Sequence, residues 1–354
     1  MITTKKFTTL DESFLSEWLE LWKNSSEKNF VNSPAWIAAI KEAFGFTENV
    51  FIGVYKNSEL VGAAGFVKEK RFGLSCYTVP PGDFVSGVPL LLDSSDFAVV
   101  RAFVREFVQL GTVFFDNVPE SFVSVLQKET TKILAVPFSI NLFLRFEADE
   151  KGKVIITKRK RLLRESKPIE DKIRFESFEG NNEELLQIAF DIDRKSTKHS
   201  KGYDAFADKT IQKFYRSLAS YFGSYLRLNF LYIDSVPVVY EMGFLIGDTY
   251  YGSQIAFDEK YREFSPGKAF EVKLIEWLFA NEVKKIDYGS GDNFIKRTLC
   301  TEHNQLYKVV VSANIFVRLY IGLLYFSKDR VFTFLTNNPR LYSLYRSIRK
   351  SIGL

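Results

Sequence analysis

Between Leu228 and Lys296 the chain switches from a two-residue to a helical hydrophobic period and back, and that switch constrains the fold more than any other feature. Three short apolar runs rich in β-branched and aromatic residues come first: Leu228–Ile233, Val236–Leu245 and Thr249–Phe257. Their joins, Asp234-Ser235 and Gly247-Asp248, are short enough for hairpins, so the runs predict an antiparallel meander. A polar loop, Asp258–Gly267, follows. Lys268–Glu282 then places Phe270, Leu274, Ile275, Leu278 and Phe279 at helical spacing. A short strand, Lys285–Tyr288, leads into Gly289-Ser290-Gly291-Asp292 and Lys296. In this order the loop feeds free backbone N–H groups into a helix N-terminus. Such an end carries partial positive charge and suits a pyrophosphate.

The same order occurs about 180 residues earlier. Val50–Tyr55 and Glu59–Lys68 flank Lys56-Asn57-Ser58 as a hairpin. Leu74–Val79 reads as a third strand, Asp96–Gln109 as a helix, and Thr112–Phe115 as a short strand ending at Asp116. Two helices precede this copy. Asp11–Asn24 is capped by Asp11 or Ser13, and a second helix opens at Ser33-Pro34 and runs to Phe44, with Gly45 just beyond. Two amphipathic helices, Glu183–Lys195 and Asp208–Phe222, precede the other copy, and Tyr307–Val311 reads as one more strand after it. In the first copy the connection is Pro80-Pro81-Gly82-Asp83 and an apolar stretch, with no compact turn into the helix. That copy reads as a scaffold or acceptor-side wall.

A chain of 354 residues is about the right length for two domains. Its 46% hydrophobic and 26% charged content is that of a globular protein with a real core, and most of its 35 Phe read as filling for it. A formal charge of +5 on this length does not argue for nucleic acid. Two cysteines, Cys76 and Cys300, and a polar start without a secretory leader point to a reducing cytoplasm and no disulfide framework. With only two histidines, His199 and His303, beside those cysteines, no metal site is expected. Neither histidine sits in a nucleophile elbow, and His199 reads as a surface residue of the polar loop Lys195–Phe206. The apolar run Ile315–Phe326, interrupted by Arg318, is too short to span a membrane. Two basic stretches remain. Lys158-Arg-Lys-Arg161 with Arg164 is either a phosphate- or RNA-contacting patch or, with no aromatic residues interleaved, the solvated face of a linking helix. The tail alternates Tyr342, Leu344, Tyr345 and Ile348 with Arg340, Arg346, Arg349 and Lys350, which suggests either packing back on the domain or peripheral membrane contact.

Arg262-Glu-Phe-Ser265-Pro-Gly267-Lys268 spaces a basic residue, a small residue and a glycine so that the backbone can approach phosphate oxygens. With Phe257-Asp258, Tyr261, Ser265-Pro266-Gly267, then Asp287-Tyr-Gly-Ser-Gly-Asp292 and Lys296, the stretch Tyr251–Lys296 resembles the GNAT N-acyltransferase superfamily, and within it the FemAB-like or CelD-like acetyltransferase branch. Phe30-Val-Asn-Ser-Pro-Ala-Trp36 and the elements after it fit the same branch, so the likeness covers roughly residues 10–312. Two departures are Ile295, where the branch has a tyrosine, and Ser265, where the wider superfamily has a glycine.

The resemblance implies an α+β fold of two tandem GNAT-like domains, each a mixed, mostly antiparallel sheet flanked by helices. The expected segments are 1–155, a degenerate copy; 156–312, with the acyl-CoA loop; and a helical tail, 313–354. Acetyl-CoA or another acyl-CoA would bind where two strands of the second copy splay, at Ser265 and Gly267, with charge from Arg262 and Lys268. An amine acceptor, such as an amino sugar or nucleotide sugar of envelope or exopolysaccharide assembly, would attack the thioester. Asp287, Asp292 and Glu241 are candidates to bind or deprotonate it, and Lys296 to contact its phosphate or the oxyanion. No DNA or metal is implied, and the expected place is the cytoplasm, either free or against the inner membrane face. Two other readings stay open: a Fem-type transferase that takes an aminoacyl group from charged tRNA for peptidoglycan precursors, and a non-catalytic scaffold of the same shape.

Overall fold

The computed structural model describes residues 1–79, 87–146, 162, 164, 167–200 and 205–336. The Pro80–Asp83 connection, the Lys158–Arg161 cluster and the basic tail from Arg340 lie outside them.

The first half runs β1 (Ile2–Phe7), α1 (Glu12–Asn24), α2 (Pro34–Phe44), β2 (Asn49–Lys56), β3 (Glu59–Arg71), β4 (Leu74–Thr78), the two-residue β5 (Leu91–Leu92), α3 (Phe97–Leu110), β6 (Thr112–Pro119), α4 (Glu120–Glu129) and β7 (Ile133–Arg145). Local chemistry accounts for the starts and stops. Asp11 caps α1 by accepting from the Phe14 N–H at 2.7 Å, and the helix buries Phe14, Trp18 and Trp22. Ser33 caps α2 and Pro34 fills its first turn, where a missing N–H costs nothing. Gly45 ends that helix in the left-handed region, at φ 65°.

The second half repeats the plan: β8 (Ile173–Glu179), α5 (Glu183–Arg194), α6 (Lys209–Phe222), β9 (Leu226–Ile233), β10 (Val236–Ile246), β11 (Thr249–Phe257), α7 (Pro266–Ala280), β12 (Lys285–Ser290), α8 (Phe294–Leu299) and β13 (Glu302–Ser312). A last helix, α9 (Ile315–Thr336), starts the tail. The repeat extends to irregularities. Both meander hairpins turn on two residues with positive φ, Asn57-Ser58 and Asp234-Ser235. Both then slip register at the same place, past Tyr55 opposite Leu60 in one and past Tyr232 opposite Pro237 in the other.

All the described strands belong to one sheet, ordered β1-β2-β3-β4-β6-β13-β7-β12-β11-β10-β9-β8, with β5 beside β3. The halves exchange their closing strands. β7 pairs with β12 (Ile286 opposite Leu144), and β13 pairs with β6 (Val311 opposite Val113). Between them β7 and β13 share a long antiparallel ladder, from Glu302 opposite Phe143 to Val311 opposite Ile133. Segments 1–155 and 156–312 therefore each contribute a strand to the other's side. Neither half presents a bare edge at the seam.

Sequence reading leaves β1, β7, β8, α4 and α8 unassigned. For β7 the reason is visible: Pro137 interrupts the apolar run, and the sheet absorbs it in a register slip that turns Phe138 outward. The core between the halves is aromatic, with Phe30 stacked on Phe244 at 4.6 Å and Trp36 edge-on to Phe214 at 5.1 Å. A second core, under α7, joins Phe270, Leu274 and Leu278 to Leu144, Val239 and Ile286.

Candidate active site

β11 and β12 run parallel for three pairs only, from Thr249 opposite Lys285 to Tyr251 opposite Asp287, and then diverge. β11 continues to Phe257 while α7 begins at Pro266, and the gap opens a cavity of about 280 Å³. Glu241, Tyr250, Ser253, Gly267, Glu271, Tyr288 and Lys296 are among its lining residues.

The floor is a polar cluster inside the sheet. Glu241 on β10 stands directly opposite Asn229 on β9, and both are buried. Asn229 Nδ2 donates to Glu241 Oε2 at 2.8 Å and lies 2.6 Å from the Tyr250 hydroxyl, which itself donates to Glu241. Gly243 makes room for this: a Cβ there would lie 2.2 Å from the Tyr250 oxygen. Burial pushes the Glu241 carboxyl up to about 8, against the two hydrogen bonds that favour its charged form. Beside it a register slip between Met242 and Gly243 leaves Ser253 as the extra residue of β11, so its backbone has no ladder partner opposite.

One wall is α7. Glu271 sits on its buried stripe beside Phe270 and Leu274, and burial raises its carboxyl to about 7. Its Oε1 and the Tyr288 hydroxyl are both buried beside the cavity and lie close enough together that the tyrosine partly offsets the rise that burial gives the carboxyl, while neither atom has a well-formed hydrogen bond. Lys296 closes the far end. Its ammonium donates to the carbonyls of Tyr288 (2.7 Å) and Ser290 (3.1 Å), and burial lowers its pKa. A cavity lined by two neutral-prone carboxylic acids and a partly buried ammonium has the chemistry to hold and titrate a polar ligand.

The expected phosphate loop leads into this cavity. Asp258 caps a 3₁₀ turn, Glu259–Phe264, and Ser265 then takes the left-handed conformation, φ 47°, ahead of Pro266. The Ser265 side chain makes no cap hydrogen bond to the helix. Gly267 lines the cavity, and a Cβ on it would meet nothing closer than Phe257 at 3.8 Å. Lys268 holds its ammonium 5.8 Å from the Phe294 ring, and Arg262 is exposed and paired with Glu259 at 2.6 Å. The N-terminus of a 15-residue helix is thus presented without its own carboxylate, the arrangement a pyrophosphate fits.

Of the other candidates, Asp287 lies on β12 at the seam between the halves. It accepts from the Gly289 N–H at 2.9 Å and from Asn141 Nδ2 at 3.2 Å, so it caps the glycine turn. Burial raises its pKa, and those two donors with Lys285 offset part of the rise. Asp292 does not line the cavity. It is exposed and bonded by Arg297, which lowers its pKa. His199 and His303 are exposed, and among the described residues no group of His, Cys, Asp and Glu is arranged for a metal. The structure therefore brings Glu241, Lys296 and Gly267 together. Sequence reasoning passed over Asn229, Tyr250, Glu271 and Tyr288. Two of these had a signal: Asn229 interrupts an apolar strand, and Glu271 falls on the apolar stripe of its helix.

The family model described as an acetyltransferase (GNAT) domain matches residues 156–297. Among solved structures, FemX superposes with a TM-score of 0.65 at 9% identity, over 90% of this chain and 99% of that one. L-PGS from Bacillus licheniformis gives 0.56 at 11%, over 89% and 96%. A conserved protein of unknown function from Bacteroides thetaiotaomicron gives 0.57 at 10%, over 88% and 100%. At these identities the likeness is one of fold. No curated protein matches the chain by sequence.

Proposed function

We propose, from the premise that this chain is a GNAT-type protein of FemAB-like architecture, that it moves an acyl group, acetyl in the simplest case, from acyl-CoA to an amine. The donor pyrophosphate rests on the N-terminus of α7 at Ser265 and Gly267, with charge from Arg262 and Lys268. The pantetheine arm enters the gap between β11 and β12, where its amides meet the Glu271–Tyr288 pair. The thioester then stands over Glu241.

The acceptor amine forms a C–N bond to the thioester carbonyl, whose electron pair moves onto oxygen. Lys296 and the backbone at Ser253 stabilise that oxyanion. Glu241 takes the ammonium proton, directly or through Tyr250. Collapse re-forms the carbonyl, breaks the C–S bond and releases CoA, whose thiolate is protonated as it leaves. Asp287, at the seam between the halves, orients the amine from the acceptor side, and Asp292, held by Arg297, has no part in the step. A base with a pKa near 8 suits an amine that must lose its proton near neutrality. The reading of the acceptor as an amino sugar or nucleotide sugar of envelope or exopolysaccharide assembly rests on the family resemblance, and that of a cytoplasmic location on the low cysteine count.

The observation that carries the proposal is the buried Glu241–Asn229–Tyr250 cluster at the point where β11 and β12 part, beside a helix N-terminus without a side-chain cap. Calorimetric titration with acetyl-CoA tests it, with Gly267→Glu as the block. Binding that the variant loses supports the donor site. A folded wild-type protein that ignores acetyl-CoA but binds aminoacyl-tRNA, with a steep salt dependence, supports the Fem-type donor instead. Binding of neither leaves the scaffold.

A further inference from the structure

α9 is apolar on two faces. Val317, Ile321, Leu324 and Tyr325 pack onto the sheet around Cys76, Phe114 and Val310. The opposite face presents Ile315, Phe316, Leu319 and Leu323, with Phe316 76% and Leu323 67% exposed. The tip of the β3–β4 hairpin extends the patch. Phe72 is exposed there, its ring lies 5.7 Å from that of Tyr325, and its carbonyl accepts from the Tyr320 hydroxyl at 3.2 Å. A helix apolar all round belongs between two apolar surroundings, and only one is supplied by the sheet.

Charge selects the other. Residues 315–354 hold seven Lys and Arg and a single acid, Asp329. Of the chain's 48 basic and 43 acidic residues, that leaves 41 against 42 elsewhere, so the net positive charge comes entirely from this stretch. A second copy would set like charge against like. An anionic lipid surface is complementary to both the apolar stripe and the basic sequence that continues from it. No described helix is long and apolar enough to cross a membrane, so the contact lies in the plane of the surface.

We propose that α9 and the Phe72 tip dock this protein onto an anionic bilayer, the exposed stripe sunk at the headgroup boundary and the positive charge of the C-terminal sequence drawing it there. The site is separate from the acyl-transfer cavity and does not depend on which donor that cavity takes. Co-sedimentation of the full chain with phosphatidylcholine vesicles, and with equimolar phosphatidylcholine–phosphatidylglycerol vesicles, tests it. Binding to the mixed vesicles should be tighter by at least about tenfold and weaken with salt, since anionic headgroups attract basic residues within a Debye length of the surface. The double variant Phe316→Glu, Leu323→Glu should lose it, and Phe72→Gln, on a different element, should weaken it. Thermal unfolding of both variants like the wild type separates lost docking from lost folding. Failure to bind mixed vesicles, or equal binding to both, overturns the proposal. So does light scattering that shows a dimer which the double variant converts to monomer, because the stripe is then a self-association surface.

Discussion

Counted from their turns, Ala64 in β3 stands where Glu241 stands in β10, and its cross-strand neighbour is Ile52 where that of Glu241 is Asn229. The two halves share strands, helices, turns and a bulge, yet only the second buries a carboxylate in its meander. Their connecting helices differ in the same sense. α3 carries its own anion: the Asp96 side chain accepts from the Ala98 and Val99 N–H groups and pairs with Lys56 at 3.0 Å. α7 opens on Ser265 and Pro266 without a side-chain cap. The acids that follow them also diverge. Asp116 is buried between Arg71 (2.5 Å) and Lys308 (3.0 Å), and although burial pushes its pKa up, those two cations more than offset it. Asp287 has Asn141 and a backbone N–H instead, and burial wins. In the first half, charges are answered by the protein itself. In the second, burial keeps Glu241 and Glu271 above the usual carboxylate range, and that contrast marks the candidate site.

Exchanging the residues of the two sheets should break the contrast most severely. Ala64→Glu puts a carboxylate into a fully apolar stretch without the Asn229 and Tyr250 donors. The expected loss is about 3–5 kcal/mol of unfolding free energy, read from urea denaturation. A loss below about 1 kcal/mol, the level of an ordinary substitution, would mean that either sheet tolerates the acid and that Glu241 is nothing special.

Glu241→Gln should keep the fold and cost activity, about 10²–10⁴-fold in transfer rate if the residue is the base. Stability supplies an independent readout. The folded-state value of about 8 lies above the ordinary 4.5, so folded protein holds a proton that the unfolded chain releases. Wild-type stability must then fall as pH rises through that window, by roughly 3 kcal/mol at pH 7 relative to acid, and the glutamine variant should be spared this loss. Urea unfolding at pH 5 and pH 8 compares the two. Parallel slopes would place Glu241 in the normal carboxylate range and remove its claim to be a base near neutrality.

How far such a site can be read from sequence follows from the kinds of signal involved. The meander, the helix after it and the loop between them were legible because period and turn chemistry are local, and Glu241, Gly267 and Lys296 came with them. What was hidden was non-local. That Glu241 faces Asn229 depends on a register set by the bulge beyond Tyr232, and that Glu271 turns inward depends on which stripe of α7 meets the sheet. The exchange of β7 and β13 carried no local signal, since each strand finds its partner far along the chain. Asp292 shows the converse: a position inside a recognisable motif whose side chain Arg297 holds outside the cavity.

The smallest expected effect tests whether the cap alone distinguishes the two helix ends. Asp96→Ala removes the acceptor for two backbone N–H groups and the partner of Lys56. The cost should be about 1 kcal/mol, the usual value of a lost N-cap, seen as a modest shift in the urea midpoint. The exposed ends of α3 then resemble those of α7, but the sheet behind them still offers Ile52 and Ala64. Acetyl-CoA should therefore titrate this variant with the same stoichiometry as the wild type. A second equivalent bound would show that the first half lost its donor site only through Asp96. An unchanged stoichiometry places the difference in the sheet, where the buried acid and the gap between diverging strands occur together.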